Sequence, residues 1–172
     1  MQFNKPLMTA TLITISSFAT ISSANAETAT GEFEIGLVVQ SVCNLTAGSS
    51  SNIDLGNVGD GSVKTGTNNI SVACSTGTPY KIGFLARNDG GAGGVGVLKG
   101  TKNDGAISII YKLTKDVAGV TPWGNTAGTN TMDATGTGFL AAVSYPVYAT
   151  TTGSTDVVPD TYSDMVDVTV TY

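Results

Sequence analysis

Apolar and polar residues alternate along this chain in short runs. Side chains of a β-strand point in turn to its two faces, so a period of two predicts half-buried strands and no amphipathic helix. The apolar positions are Phe33, Ile35, Leu37 and Val39; Ile70 and Val72; Tyr80, Ile82 and Phe84; Ile107, Ile109, Tyr111 and Leu113; Phe139, Ala141, Val143 and Tyr145; and Val166, Val168, Val170 and Tyr172. Turn-forming Gly, Asn and Asp separate the runs, and residues 121–138 form a long predicted loop. About seven short strands at this spacing favour an all-β chain folded as a β-sandwich.

The first and the last run are the most regular. The last run ends at Tyr172, the final residue of the sequence, and we expect this aromatic side chain to face the core. We expect no strand after it, so a sheet that needs one more strand would receive it from another molecule. The first run, residues 33–39, is either such a donor strand or the ordinary first strand of its own sheet.

A targeting segment precedes the first run. Lys5 is followed by an apolar stretch over residues 7–21, and Ala24, Asn25 and Ala26 form a small-residue cleavage site. The apolar stretch is shorter than the roughly 18 residues that a membrane-spanning helix needs. We therefore predict a signal peptide over residues 1–26, cleavage after Ala26, export of the mature chain, and no insertion into the membrane.

The two cysteines of the chain are Cys43 and Cys74. An even number of thiols in an exported protein is most simply one disulfide. Two cysteines this far apart, without a histidine, form neither a CxxC redox motif nor a metal site. The sequence therefore predicts a structural disulfide between Cys43 and Cys74.

The composition excludes several kinds of chemistry. The 172 residues include no histidine, which rules out a Ser-His-Asp triad, a Cys-His pair and a histidine-ligated zinc or haem. The formal net charge is −5, and charged residues make up only 12% of the chain. This acidic balance removes the usual electrostatic basis for binding nucleic acid or anionic lipid, so we predict neither partner.

Two local patterns resemble chemical sites. Residues 91–96 fit the glycine-rich fingerprint of a dinucleotide site, but that fingerprint needs a following helix, and we interpret them as a flexible hairpin loop. The acidic pairs Glu32 with Glu34 and Asp164 with Asp167 are more typical of a solvated strand face than of a glycosidase. We therefore predict no enzyme, no catalytic residue, no cofactor and no metal.

Several motifs occur in a specific order along the chain. They are Cys43 followed by IDLG at 53–56, ISVACSTGTPY at 70–80, YKLTKD at 111–116 with WG at 123–124, PVY at 146–148, and YSDMVDVTVTY at 162–172. On these motifs the chain resembles the spore coat protein U domain family, the archaic Csu-type subunits of chaperone–usher pili. The resemblance covers most of the mature chain.

The resemblance implies an incomplete immunoglobulin-like β-sandwich that is completed by a donor strand from a neighbouring subunit. It also implies export through the periplasm to the cell surface. A periplasmic chaperone would first fill the groove, and an outer-membrane usher would let the N-terminal extension of another copy replace it. The implied function is that of a structural pilin that polymerises by donor-strand exchange into a surface fibre for adhesion and biofilm formation. A secreted spore-coat-like structural protein and a minor or adaptor subunit near the pilus tip are the alternatives.

The resemblance also divides the chain into segments. A donor-strand extension would occupy residues 27–40, and the pilin domain would follow at residues 41–172. The side chains that would enter a neighbour's groove are Phe33, Ile35, Leu37 and Val39. The last strand would line the acceptor groove with Val166, Val168, Val170 and Tyr172.

Overall fold

The computed structural model of the protein describes residues 27–88, 90–102 and 106–172. Across these ranges the chain forms nine β-strands and one short 3-10 helix, Ser49–Ser51. The strands are β1 Cys43–Thr46, β2 Thr65–Cys74, β3 Pro79–Ala86, β4 Val95–Gly100, β5 Ser108–Thr114, β6 Met132–Thr135, β7 Val143–Thr151, β8 Tyr162–Ser163 and β9 Val166–Thr171. All nine belong to one compact unit, Val38–Tyr172, and the described part of the other unit, residues 27–37, contains no strand. The signal peptide predicted for residues 1–26 lies outside the described residues, and no helix within them is long and apolar enough to cross a membrane.

The strands form two antiparallel sheets that face each other as a sandwich. The larger sheet has the order β1-β2-β7-β5-β4-β8, and the smaller has the order β6-β3-β9. Val72, Ile82 and Trp123 are fully buried in the core between them. Trp123 packs edge to face on Phe84 with ring centroids 4.7 Å apart, and its Nε1 donates a hydrogen bond to the Ile82 carbonyl at 3.0 Å. The predicted all-β sandwich is confirmed, with nine strands in the described ranges rather than about seven.

Alternation in the sequence correctly predicts the inward faces of four strands. The inward residues are Ile70 and Val72 in β2, Tyr80, Ile82 and Phe84 in β3, Ile109, Tyr111 and Leu113 in β5, and Val166, Val168 and Val170 in β9. These strands lie against the opposite sheet on one face only, which is the condition under which a period of two appears.

Two segments predicted from the pattern differ in the structure. Residues 33–39 form no strand, because an extended segment needs a pairing partner for its backbone groups and none of the described strands pairs with it. The strand predicted from Phe139 begins only at Val143. Gly138 has a positive φ of 136°, and Ala141 N donates to the Gly138 carbonyl at 3.0 Å, so this stretch is a turn.

Two segments predicted as loops contain ordered structure. The hairpin loop predicted at residues 91–96 leads directly into β4, where Gly96 approaches the ring of Tyr111 so closely that a Cβ would lie 2.4 Å from it. That glycine therefore allows close packing within the sheet and not a flexible turn. The long loop predicted at residues 121–138 includes β6 and the fully buried Trp123.

The predicted disulfide is confirmed. Cys43 and Cys74 lie directly opposite each other in the β1–β2 ladder and are bonded through their sulfur atoms. Closing a loop of this length stabilises the fold by about 4 kcal/mol in the chain-entropy description. The bond fixes the short edge strand β1, which has only four residues, to the central part of the larger sheet.

Candidate functional site: an apolar groove beside the last strand

An apolar groove of about 230 Å³ opens between the two sheets beside β9. Buried residues of both sheets form its floor, namely Ile70, Phe84, Tyr111, Leu113, Val147 and Ala149. Half-buried apolar residues surround the floor, namely Ile53, Leu55, Leu98, Val166 and Val168. The remaining lining residues are Ala47, Gly48, Ser51, Asn52, Asp164 and Met165. Because apolar carbons dominate the lining, the groove suits hydrocarbon side chains better than a charged ligand.

The open edge of β9 forms one wall of the groove. Among the described strands, β9 pairs with β3 alone. Arg87 N donates to the Met165 carbonyl at 2.9 Å just before this ladder, and hydrogen-bonded and non-hydrogen-bonded pairs alternate along an antiparallel ladder. The backbone N–H and C=O groups of Val166, Val168 and Val170 therefore point away from β3, to the open edge. The same three residues direct their side chains to the core, so this edge offers both hydrogen bonds and apolar contacts.

Residues 47–55 form the opposite rim of the groove. Asn68 of β2 holds this segment, because its Nδ2 donates to the carbonyl oxygens of Ser50 and Asn52 at 3.1 and 2.7 Å. The rim contains no β-strand, because β1 ends at Thr46 and β2 begins only at Thr65. It is therefore fixed by side-chain hydrogen bonds to β2 and not by a strand ladder.

Gly66 of β2 allows the rim to lie close to the sheet. A Cβ at this position would be 2.7 Å from Ile53 Cγ2, 2.8 Å from the Asp54 carbonyl oxygen and 3.1 Å from Leu55 Cδ2. Ile53 and Leu55 pack against the core from this position. The absence of a side chain at Gly66 thus sets how far the two apolar rim residues approach the groove.

Asp164 and Tyr111 lie at the end of the groove where β9 begins. The Tyr111 hydroxyl donates to Asp164 Oδ2 at 2.8 Å, and Asp164 Oδ1 accepts the N–H groups of Asn88 and Met165 at 3.0 and 2.7 Å. Burial raises the pKa of Tyr111, and its hydrogen bond to Asp164 raises that pKa further. Tyr111 therefore remains a protonated hydrogen-bond donor at physiological pH, and this end of the groove is polar.

The acidic pair Asp164 and Asp167 does not face a common space. Asp164 lines the groove, whereas Asp167 forms a salt bridge with Arg87 on the outer side of β9 at 2.6 Å. The hydrogen bonds from Arg87 hold the pKa of Asp167 below its usual value. Each carboxylate thus has its own hydrogen-bonding partners, and the two do not form a glycosidase-like pair.

The four residues at the C-terminal end that we expected to line a groove lie in three different environments. Val166 and Val168 line the groove, and Val170 packs against the core without lining it. Tyr172, which we expected to face the core, is 59% exposed. It borders a separate depression lined only by residues of the smaller sheet and the chain end, because β9 ends at Thr171 and the larger sheet does not cover this position.

The four predicted donor side chains are strongly exposed. The exposed fractions are 85% for Phe33, 86% for Ile35, 87% for Leu37 and 81% for Val39. Glu32 and Glu34 alternate with the first of them. In an extended conformation one face of this segment would therefore be apolar, and the other would carry Glu32 and Glu34 at its N-terminal end.

The sequence pattern did not single out the rest of the groove. Ile53 and Leu55 alternate with Asp54, and this short period of two is the signal that could have marked the rim. Leu98 and Asp164 reach the groove through tertiary packing of β4 and of the segment before β9, which no local pattern reports.

The arrangement is suited to binding a strand. An apolar cleft beside an unpaired strand edge presents both main-chain hydrogen-bonding groups and pockets for alternate side chains. In the ranges 27–88, 90–102 and 106–172, no group of three or more Cys, Asp or Glu residues is placed to hold a metal ion.

The profile of the Spore Coat Protein U domain matches residues 29–169, which include the exposed N-terminal segment and most of β9. The chain belongs to the Spore Coat Protein U domain family. The resemblance seen in the sequence motifs is thereby confirmed. No curated protein sequence is significantly similar to the chain.

Two solved structures are similar to this chain. A chain of the CsuC–CsuE chaperone–tip adhesion subunit pre-assembly complex, from archaic chaperone-usher Csu pili of Acinetobacter baumannii, has 20% identity and a TM-score of 0.53 over 78% of this chain and 40% of that one. A chaperone–tip adhesin complex of CFA/I fimbriae biogenesis has 16% identity and a TM-score of 0.47 over 75% of this chain and 41% of that one. The present chain thus spans about two fifths of the length of the chains it matches. The first match identifies the sandwich as immunoglobulin-like.

Proposed function

We propose that the protein is a structural subunit of an archaic chaperone–usher pilus that polymerises by donor-strand exchange. Residues 33–39 of one copy enter the groove of another copy and add a strand beside β9. Before assembly a periplasmic chaperone occupies the groove, and an outer-membrane usher directs the exchange. The resulting fibre lies at the cell surface and serves adhesion and biofilm formation. Family membership and the immunoglobulin-like fold support this assignment.

The observation that carries the proposal is the match between the groove and the exposed N-terminal segment. Alternate side chains of a strand are about 6.6–6.8 Å apart, so four apolar residues at a period of two form a continuous row along one face. The open edge of β9 supplies backbone groups, and the groove supplies an apolar lining. Burying four such side chains contributes roughly 6–12 kcal/mol before the costs of association are subtracted.

Charge favours one direction for the added strand. Asp164 and Asp167 lie at the beginning of β9, and threonines occupy the outward positions at its end. A donor strand parallel to β9 would bring its Glu32 and Glu34 towards these two carboxylates. Arg87 forms a salt bridge with Asp167 and not with Asp164. Like charges on neighbouring strands are destabilising. We therefore orient the donor antiparallel to β9, with Val39 at the Asp164 end.

The decisive experiment compares two neighbouring substitutions in the full chain. Leu37→Asn places a polar amide on the apolar face of the donor, whereas Val38→Asn places the same uncharged group on the opposite face and adds no charge near Asp167. Both side chains are exposed before assembly, so neither change should affect the folding of the subunit. We expect Leu37→Asn to abolish polymers that survive SDS, because its amide would be buried without a hydrogen-bonding partner, and Val38→Asn to retain them.

A deletion provides the complementary test. Protein that lacks residues 27–39 retains the groove but has no donor, so it should cap chains of intact subunits and form none by itself. Self-polymerisation of the deleted protein, seen by electron microscopy or as a ladder on a native gel, would refute donor-strand exchange.

A further inference from the structure

Four exposed apolar residues lie at the end of the sandwich from which the N-terminal segment extends. We name Val42, Phe139, Leu140 and Tyr172 the basal patch. Their exposed fractions are 44%, 48%, 100% and 59%. A fully exposed leucine at the same end of the sandwich as three other exposed apolar side chains is typical of a contact surface rather than of a solvated turn.

Strand pairing places the basal patch at one end. Cys43, next to Val42, is opposite Cys74, which ends β2. The turn that contains Phe139 and Leu140 is tied to this position by the hydrogen bond from Gly138 N to the Cys74 carbonyl at 3.1 Å. The register of β3 with β9 brings Thr171 opposite Lys81, near the start of β3, and so places Tyr172 at this end as well.

Hydrogen bonds hold the backbone that carries the basal patch. The Thr137 hydroxyl donates to the Ala141 carbonyl at 3.3 Å, and Ala141 N donates to the Gly138 carbonyl at 3.0 Å. Val42 is held in the same way, because Ser75 N donates to the Val42 carbonyl at 2.9 Å. The backbone that carries Val42, Phe139 and Leu140 is therefore held by hydrogen bonds, and a partner would lose little backbone entropy in covering these residues.

The linker between the donor segment and the sandwich is short, and its length indicates which molecule covers the basal patch. Only residues 40–42 separate Val39 from Cys43, and four residue steps span at most about 14 Å when fully extended. Cys43 is fixed in the sandwich by its disulfide. A copy that binds residues 33–39 in its groove must therefore lie directly against the end of the sandwich that carries the basal patch.

We propose that the basal patch is a second contact between consecutive copies of this chain. It is buried against the Asp164 end of the receiving copy's groove, where Met165 is 64% exposed. The inference rests on donor-strand exchange as proposed above and adds to it a rigid apolar contact outside the groove. The basal patch of one copy meets a different surface, the Asp164 end of the groove, on the other copy. The contact is therefore head-to-tail and can repeat along a fibre.

Accessibility of an introduced thiol tests the contact in the full chain. Both native cysteines form the disulfide, so Leu140→Cys adds a single free thiol. Val117→Cys is the matched control, because Val117 is 75% exposed on the turn after β5, outside the basal patch. Each is labelled with a maleimide in polymers and, in the Leu37→Asn background, in unpolymerised protein. We expect Leu140→Cys to react at least about tenfold more slowly in polymers, since burial shields a thiol, and Val117→Cys to react equally in both.

The outcomes distinguish the two proposals. Polymers in which Leu140→Cys reacts as fast as Val117→Cys would overturn the basal contact and leave donor-strand exchange intact. Failure of the unsubstituted chain to polymerise would refute donor-strand exchange, and the basal contact with it. Thermal unfolding verifies that Leu140→Cys folds normally, and Phe139→Cys repeats the measurement at a second position of the patch.

Discussion

Substitution of Gly66 by alanine should show how closely the groove rim is packed. The new Cβ would lie 2.7 Å from Ile53 Cγ2 and 2.8 Å from the Asp54 carbonyl oxygen, well inside van der Waals contact. The second of these atoms belongs to the backbone, so the rim itself has to move. Overpacking of this kind costs about 1–3 kcal/mol. For a chain of this length, that corresponds to a decrease of roughly 3–10 °C in the unfolding temperature.

Gly59→Ala is the matched control for Gly66→Ala. A Cβ at Gly59 meets no atom within 4 Å, and its φ is not in the left-handed region. Alanine there should leave stability unchanged or raise it by up to about 1 kcal/mol, because it restricts the unfolded chain. Both variants are compared with the unsubstituted protein by thermal unfolding followed by circular dichroism. If Gly66→Ala and Gly59→Ala unfold at the same temperature, the close packing of the rim on β2 is wrong.

Two further predictions concern stability. Burial and the hydrogen bond to Asp164 raise the pKa of Tyr111 above its ordinary value, so the protonated Tyr111 stabilises the folded state. This contribution is complete below about pH 10 and is lost as the pH rises further, by at most about 1.4 kcal/mol of unfolding free energy per pH unit. Tyr111→Phe should therefore flatten the decrease in urea-unfolding free energy above pH 10, and an unchanged slope would contradict the assignment. Replacing both Cys43 and Cys74 by serine should lower the unfolding free energy by about 4 kcal/mol in the same urea titration, and a loss below about 1 kcal/mol would contradict a stabilising role of loop closure.

The parts of the fold that the sequence predicted are those with a local cause. Ile70 and Val72 in β2, or Ile82 and Phe84 in β3, alternate with outward residues because each strand is covered on one face. The disulfide followed from the number of cysteines and the expected export. The inward face of a strand is determined by the alternation of residues within that strand, and the disulfide by the presence of two cysteines in the chain.

The parts that the sequence did not predict depend on distant contacts. Gly96 was interpreted as part of a flexible loop because glycine is typical of turns, whereas the ring of Tyr111 from β5 requires the absence of a side chain there. Trp123 lies in a segment rich in Gly, Thr and Asn, yet its Nε1 finds an acceptor in β3 and its ring occupies the core. Phe139 continues an alternating pattern, but the positive φ of Gly138 turns the chain before β7 begins.

The groove, too, could be predicted from the sequence only in part. The family resemblance placed Val166 and Val168 along an acceptor groove, and in the structure both line the apolar groove beside β9. The opposite rim depends on Asn68 and Gly66, which act across the gap between β2 and residues 47–55. No pattern within the rim itself reports those contacts.

The position of the disulfide has a mechanical consequence for a fibre assembled as proposed. Tension would enter each sandwich through residues 40–42 and reach Cys43 first. Peeling an edge strand under load breaks its hydrogen bonds one pair at a time, starting from the loaded end, and that end of β1 is the Cys43–Cys74 pair. The load therefore passes through a covalent bond into β2, a ten-residue strand paired on both sides, and the four-residue ladder of β1 does not have to bear it.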